Sequence, residues 1–246
     1  LLLLGVIVAG GVVLSALPAS LLTRALPPTV QANDLSGTVW HGSAGKLTWQ
    51  GRDVGALEWR LRPGALLHLV VELELHWVKG ALALDATADL DRGGVIAHDV
   101  KGGGPLEDLH DIGALADVHG SVEVALTRIE TDFTRLRALV GELRVSNIGI
   151  ARVDGGADLG NYVLQFADGA VDANGAITGG LNDAGGPLEI RGSLQLSPQE
   201  HRGTITATLL ERATMSPELR ADVQNLAQLR GRDLQGRIPA DLEFSF

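Results

Sequence analysis

The feature that most constrains this chain is a change of period. From Leu35 onward apolar residues recur at every second position; Val71, Leu73, Leu75 and Trp77, for example, alternate with Glu72, Glu74 and His76. Successive side chains of a strand point to opposite faces, so such a stretch carries one apolar and one charged face, which helical spacing would mix. The same reading covers residues 81–90, 118–129, 141–150, 161–167, 188–196, 203–210 and 234–246, which gives eight or more strands. Their connectors carry turn chemistry, as in Asp154-Gly155-Gly156, Asp168-Gly169 and Asn174-Gly175. Most gaps are too short for the dozen-residue crossover that parallel pairing needs. The expected fold is therefore mainly β, an antiparallel and curved sheet, with a closed β-sandwich as the alternative. The 32 Gly among 246 residues are roughly twice the usual ~7% and have no three-residue period, which fits many tight turns.

Two stretches depart from this rhythm. Ser216-Pro217-Glu218 combines an N-cap hydroxyl, Pro at the first helical position and an acid facing the helix dipole, and Leu219, Val223, Leu226 and Leu229 then share one face. Pro105 to Val118 spaces Leu106, Leu109, Ile112 and Leu115 by three, which predicts one or two helical turns. One or two short helices thus accompany the sheet, where they cover an edge or an end.

Leu1–Leu22 contains no charged side chain and, as a helix, spans about 33 Å, enough for a hydrocarbon core of about 30 Å. It is read as a single transmembrane anchor (1–22), with a cleaved signal peptide as the rival. A Pro-containing exit segment (23–34) and an exported β-rich domain (35–246) follow. The chain opens on Leu1, and a basic start is expected to precede it. Arg24 alone is positive between Thr23 and Gly45, which argues against a cytoplasmic flank.

Reactive chemistry is hard to find. Zero Cys excludes thiolate zinc sites and thiol catalysis, and a net charge of -10 argues against nucleic acid as a partner. No two of the seven His have the i, i+4 spacing of a helical metal site, and His98, His110 and His119 with Asp99 and Asp111 would have to meet through the fold. Asp85, Asp89 and Asp91 match only a fragment of a calcium loop. Gly102-Gly103-Gly104 and Gly179-Gly180 lack the Lys-Ser/Thr of a phosphate loop and are read as hinges or turns. Ser15, Ser20, Ser36 and Ser43 lie in no Gly-x-Ser-x-Gly elbow. Neither catalytic residues nor a cofactor are expected, and the chain is read as a non-enzyme.

The most distinctive block is Gly37-Thr38-Val39-Trp40-His41-Gly42-Ser43-Ala44, followed by Leu47-Thr48-Trp49 and then Trp59-Arg60-Leu61-Arg62-Pro63. Three of the four Trp lie here, either as anchors of a first hairpin or as a partner surface. An apolar run, this Gly-x-x-Trp-x-Gly and a Trp-x-Leu-x-Pro before an alternating strand resemble protein N of the bacterial type II secretion system. The resemblance singles out Gly37, Trp40, Gly42, Trp59 and Pro63 as family-motif or interaction residues. It implies an accessory inner-membrane subunit with a periplasmic domain, whose partners are the membrane and other secretion subunits, helping folded proteins cross the outer membrane. Pairing of edge strands into a homo-oligomer is a further expectation. Long sheets with aliphatic inner faces and few aromatics also resemble the AsmA-like envelope proteins, which makes lipid handling in an apolar β groove the alternative.

Overall fold

A computed structural model of the chain describes residues 17–24, 29–62, 71–90, 93–110, 118–132, 135–150, 157–173, 175–200 and 202–245. Its strands are β1 (Val30–Gly37), β2 (His41–Trp49), β3 (Arg52–Arg62), β4 (Val71–Lys79), β5 (Leu82–Leu90), β6 (Val95–Pro105) and β7 (Val118–Thr131). They continue with β8 (Leu136–Ile150), β9 (Ala157–Phe166), β10 (Ile177–Asp183), β11 (Leu188–Ser197), β12 (Arg202–Glu211) and β13 (Ile238–Ser245). All thirteen form one antiparallel sheet in chain order, each strand paired with its sequence neighbour. β1 and β13 do not pair, so the sheet is open, and because there is a single sheet the sandwich alternative is excluded.

The register explains how one sequence pattern serves the whole sheet. Leu35 pairs with Ala44, Ala44 with Leu57, Leu57 with Trp77 and Trp77 with Leu84, so the apolar residue of each strand meets an apolar residue of the next. At the far end Leu196 pairs with Gly203 and Gly203 with Phe244, on the same face. The opposite face carries rows such as Glu58, His76 and Asp85. A slip of one residue would turn an apolar row to solvent, which fixes the register.

One apolar face on an open sheet must be covered by connecting segments, and four of them do so. The 3-10 turn Ala19–Arg24 places Ala19 against Ala44 and Trp59. The 3-10 turn Leu106–Leu109 sets Leu106 on Leu82 and Val122. The loop after β9 brings Ala170 to Val100, Leu126, Phe166 and Ile177. The helix α1 (Pro217–Arg230) lays Leu219 and Val223 on Leu188, Leu209 and Ile238. The helix starts as expected, with the Ser216 hydroxyl accepting from the Leu219 N–H at 3.3 Å.

Several expectations need correction. Gly102, Gly103 and Gly104 are neither hinge nor turn but the interior of β6, where a Cβ at Gly103 would stand 2.4 Å from the Val122 carbonyl oxygen and one at Gly104 2.4 Å from the Leu82 Cα. Gly179 and Gly180 likewise lie within β10, where Gly179 makes room for the Phe166 ring. β13 begins at Ile238 rather than Leu234, and Leu234 is exposed in the turn that Asp233 organises through the N–H groups of Gln235 and Arg237. Leu229 does not join the buried face of α1; it is 83% exposed. Of the helical turns expected between Pro105 and Val118, one lies at Leu106–Leu109, and residues 111–117 fall outside the described residues. Among the described residues no helix is long and apolar enough to cross a membrane; residues 1–16 of the expected anchor lie outside them.

Ile238 is fully buried. Ile238→Ala should therefore lower unfolding free energy by about 2–5 kcal/mol in chemical denaturation. Tyr162 supplies a second test. Its hydroxyl donates to the Leu188 carbonyl at 3.1 Å, and burial, reinforced by the Asp183 and Asp158 carboxylates, pushes its pKa well up. A pKa raised on folding contributes stability that is complete below the unfolded value of about 10 and is lost as pH rises beyond it. Between pH 8 and 11 the stability gap between the native chain and Tyr162→Phe should shift against the native chain.

Candidate functional site

The motif block forms the first strand pairs. Gly37 and Gly42 face each other across the β1–β2 turn, which is closed by the Thr38 N–H donating to the His41 carbonyl at 2.8 Å. Gly37 has φ +81°, and a Cβ there would sit 2.5 Å from that same oxygen. Gly42 pairs with Trp59 on β3, and a Cβ at Gly42 would lie 2.7 Å from the indole Cζ2. The two motif glycines thus serve a tight turn and the seating of one ring. The Trp59 indole N–H donates to the Val39 carbonyl at 3.1 Å, and the Leu61 N–H donates to the Trp40 carbonyl at 2.6 Å. Trp59 locks the turn to β3 and is buried, Trp40 is half-buried and Trp49 is 44% exposed. The Trp set therefore divides between a core anchor and an exposed ring. Pro63 lies outside the described residues.

Beneath Trp59 on the apolar face is a cavity of about 360 Å³, within the range of small-ligand sites. Its walls come from β1 to β5 and from Thr23, and they include Leu35, Leu47, Leu57, Leu61 and Leu73. Among the described residues, every one in the lining except Thr23 is apolar. Alternation on five neighbouring strands predicts such a wall, whereas the contribution of Thr23, from the turn before β1, had no signal in the sequence.

The opposite face of the same strands carries a shallow polar shelf. Ser36 and Ser43 share a hydrogen bond of 2.8 Å, His76 Nδ1 lies 2.7 Å from Asp85 Oδ1, and Arg62 bonds Glu72 at 2.5 Å and also Glu74. The Glu74 hydrogen bond, helped by the Glu72 charge, raises the Arg62 pKa, and the Gly55 N–H together with Lys46 lowers that of Asp53. Ser43, Glu58, His76 and Asp85 form one cross-strand row. Ser43 and His76 stand two strand spacings apart, about 10 Å, too far for a Ser–His relay.

The other titratable residues singled out in the sequence do not converge. His98 pairs with Asp89 at 3.5 Å, Asp99 accepts from Lys101 at 2.8 Å, His110 bonds the Val118 carbonyl at 2.8 Å and His119 lies against Gly149. Among the described residues no three His, Asp or Glu side chains could hold a metal ion. Asp91, Asp111 and His201 lie outside those residues.

An open one-faced antiparallel sheet, with an apolar cavity lined by Trp59 on one face and ion pairs on the other, defines the class of protein: a single-sheet β protein. The particular family is clear from sequence comparison: the chain belongs to the type II secretion system protein N family, whose model matches residues 28–240, from just before β1 into β13. It is also similar to the type II secretion system protein N of Vibrio cholerae serotype O1, with 34% identity over 56 residues. That stretch covers 23% of this chain and 22% of the relative. No solved structure matches. The family match lends no support to the AsmA-like alternative.

The geometry makes the Trp residues unequal. Trp59→Ala should cost about 3–5 kcal/mol of stability, whereas Trp49→Ala should change it by about 0.5 kcal/mol or less. Thermal and denaturant unfolding of both variants checks this. Gly42→Ala should cost about 1–3 kcal/mol through overpacking against Trp59 and the backbone.

Proposed function

We propose that this type II secretion subunit is an accessory structural component of the inner membrane, single-pass, with its sheet in the periplasm, and that it acts by binding partner subunits rather than by catalysis. The observation that carries the reading is the family match, which runs along almost the whole sheet. The anchor is drawn from the uncharged run Leu1–Leu22; Leu17 and Pro18 are bonded to the β1–β2 turn and Ala19 packs on the sheet, so the membrane crossing is assigned to the part of the run before Leu17. In this reading Gly37, Trp40, Gly42 and Trp59 set the shape of the membrane-proximal end rather than react with a substrate.

The far end supplies the docking surface. β13 is an open edge, and an edge strand is a template for an added strand. Leu229, Leu234 and Leu242 are 83%, 107% and 59% exposed around it. The Arg230–Asp241 contact of 3.9 Å holds the end of α1 beside the middle of β13. Exposed Leu beside the outer edge of β13 fits another secretion subunit, or a second copy of the chain through edge pairing.

A photo-crosslinking amino acid at Leu242 or Leu229, introduced in cells that secrete by this route, should capture secretion subunits. The double variant Leu229→Lys/Leu242→Lys should fold normally, lose that capture and export folded substrates less well than the native chain. Normal export and unchanged capture by the double variant would remove the β13 edge from the account.

A further inference from the structure

The cavity beneath Trp59 has a chemistry that selects its occupant. Among the described residues its lining is apolar except for Thr23, and the Trp59 indole N–H in its wall already donates to the Val39 carbonyl. The strands beneath it are paired on both sides from β2 to β5. A peptide strand entering here would bury N–H and C=O groups with nothing to pair with, which folded proteins avoid. A hydrocarbon chain avoids that cost: it brings no polar group and is thin enough to lie between Leu57, Leu61 and Leu73.

Location supports the same occupant. Thr23 stands in the wall of the cavity, one residue beyond the uncharged run Leu1–Leu22. Ala19, in the same turn, is buried against Ala44 and Trp59. The segment leading out of the apolar run is therefore built into the cavity.

The geometry points to an acyl chain of a membrane phospholipid as the ligand of this cavity, held by van der Waals and hydrophobic contact alone. This goes beyond the secretion reading and rests on its anchor only for the source of the lipid. The bound chain covers the membrane-proximal end of the sheet at Leu57, Leu61 and Leu73, which among the described residues the turn at Ala19–Arg24 leaves lining the cavity.

The test uses the full chain reconstituted in phosphatidylethanolamine/phosphatidylglycerol vesicles with a trace of phosphatidylethanolamine bearing a diazirine near the acyl terminus. After photolysis, peptide mapping of the native chain should find label on β3 and β4 around Leu57, Leu61 and Leu73, in addition to the apolar run. Leu73→Trp and Leu57→Trp, which fill the cavity, should each lower the sheet label about tenfold, equivalent to about 1.4 kcal/mol. Ile205→Trp, on β12 toward the opposite end of the same face, should leave it unchanged. Circular dichroism verifies the fold of each variant, and if a filled variant unfolds, the map on the native chain decides. Label spread along the whole apolar face, label confined to the apolar run, or equal label in folded cavity-filled variants would each overturn the proposal. Vesicle flotation separates the two readings: a chain that floats but takes no sheet label keeps its anchor and loses its lipid site, and a chain labelled on β3 and β4 that does not float keeps the site and loses the anchor.

Discussion

The structure depends on the burial of one face of a sheet that never closes. Thirteen antiparallel strands present a continuous apolar surface, and with no second sheet opposite, hydrophobic burial must come from the connections. That is why the core is not one mass but four clusters, each formed where a turn, a loop or α1 lies over the strands. Between those covers apolar side chains stay partly accessible, and the cavity beneath Trp59 is one such place. Local hairpin pairing makes this arrangement easy to form, because every strand meets its sequence neighbour; the long connection from β12 to β13 is the one that carries α1.

The same constraint organises the polar groups. With apolar rows on one side, charged residues are driven to the other, where Arg62 forms ion pairs with Glu72 and Glu74 across the strands and His76 hydrogen-bonds Asp85. Exposed pairs of this kind contribute little stability each. The proposed binding surfaces lie instead at the sheet's ends: the cavity near Thr23 and the β13 edge with its exposed Leu.

Much of this was legible in the sequence, for physical reasons that can be named. Strict alternation in Val71–Trp77 gave β4 and its facing direction, and Ser216-Pro217 marked the start of α1, because period and capping are local. The glycines of β6 were misread because a close backbone approach from Ala83 and Val122 leaves the same local signature as a turn. Leu229 was misplaced because helical spacing names a face without saying how far the sheet beneath it extends. Leu234 was assigned to a strand because apolarity alone does not reveal that Asp233 folds its neighbours into a turn. The Gly-x-x-Trp-x-Gly block was legible as distinctive, but its work, seating Trp59 between Gly42 and the Val39 carbonyl, needs the β1–β2–β3 register.

The central claim is that the sheet is open, with β1 and β13 at opposite ends. The chain contains no Cys, so a pair of spin labels introduced at Gln31 on β1 and Glu243 on β13 would be the only labels. With twelve strand spacings between them, an open sheet places the labels more than about 30 Å apart by double electron–electron resonance. A sharp distance near the ~5 Å spacing of neighbouring strands, widened only by the label linkers, would mean that the edges pair and that the account of an open, one-faced sheet is wrong.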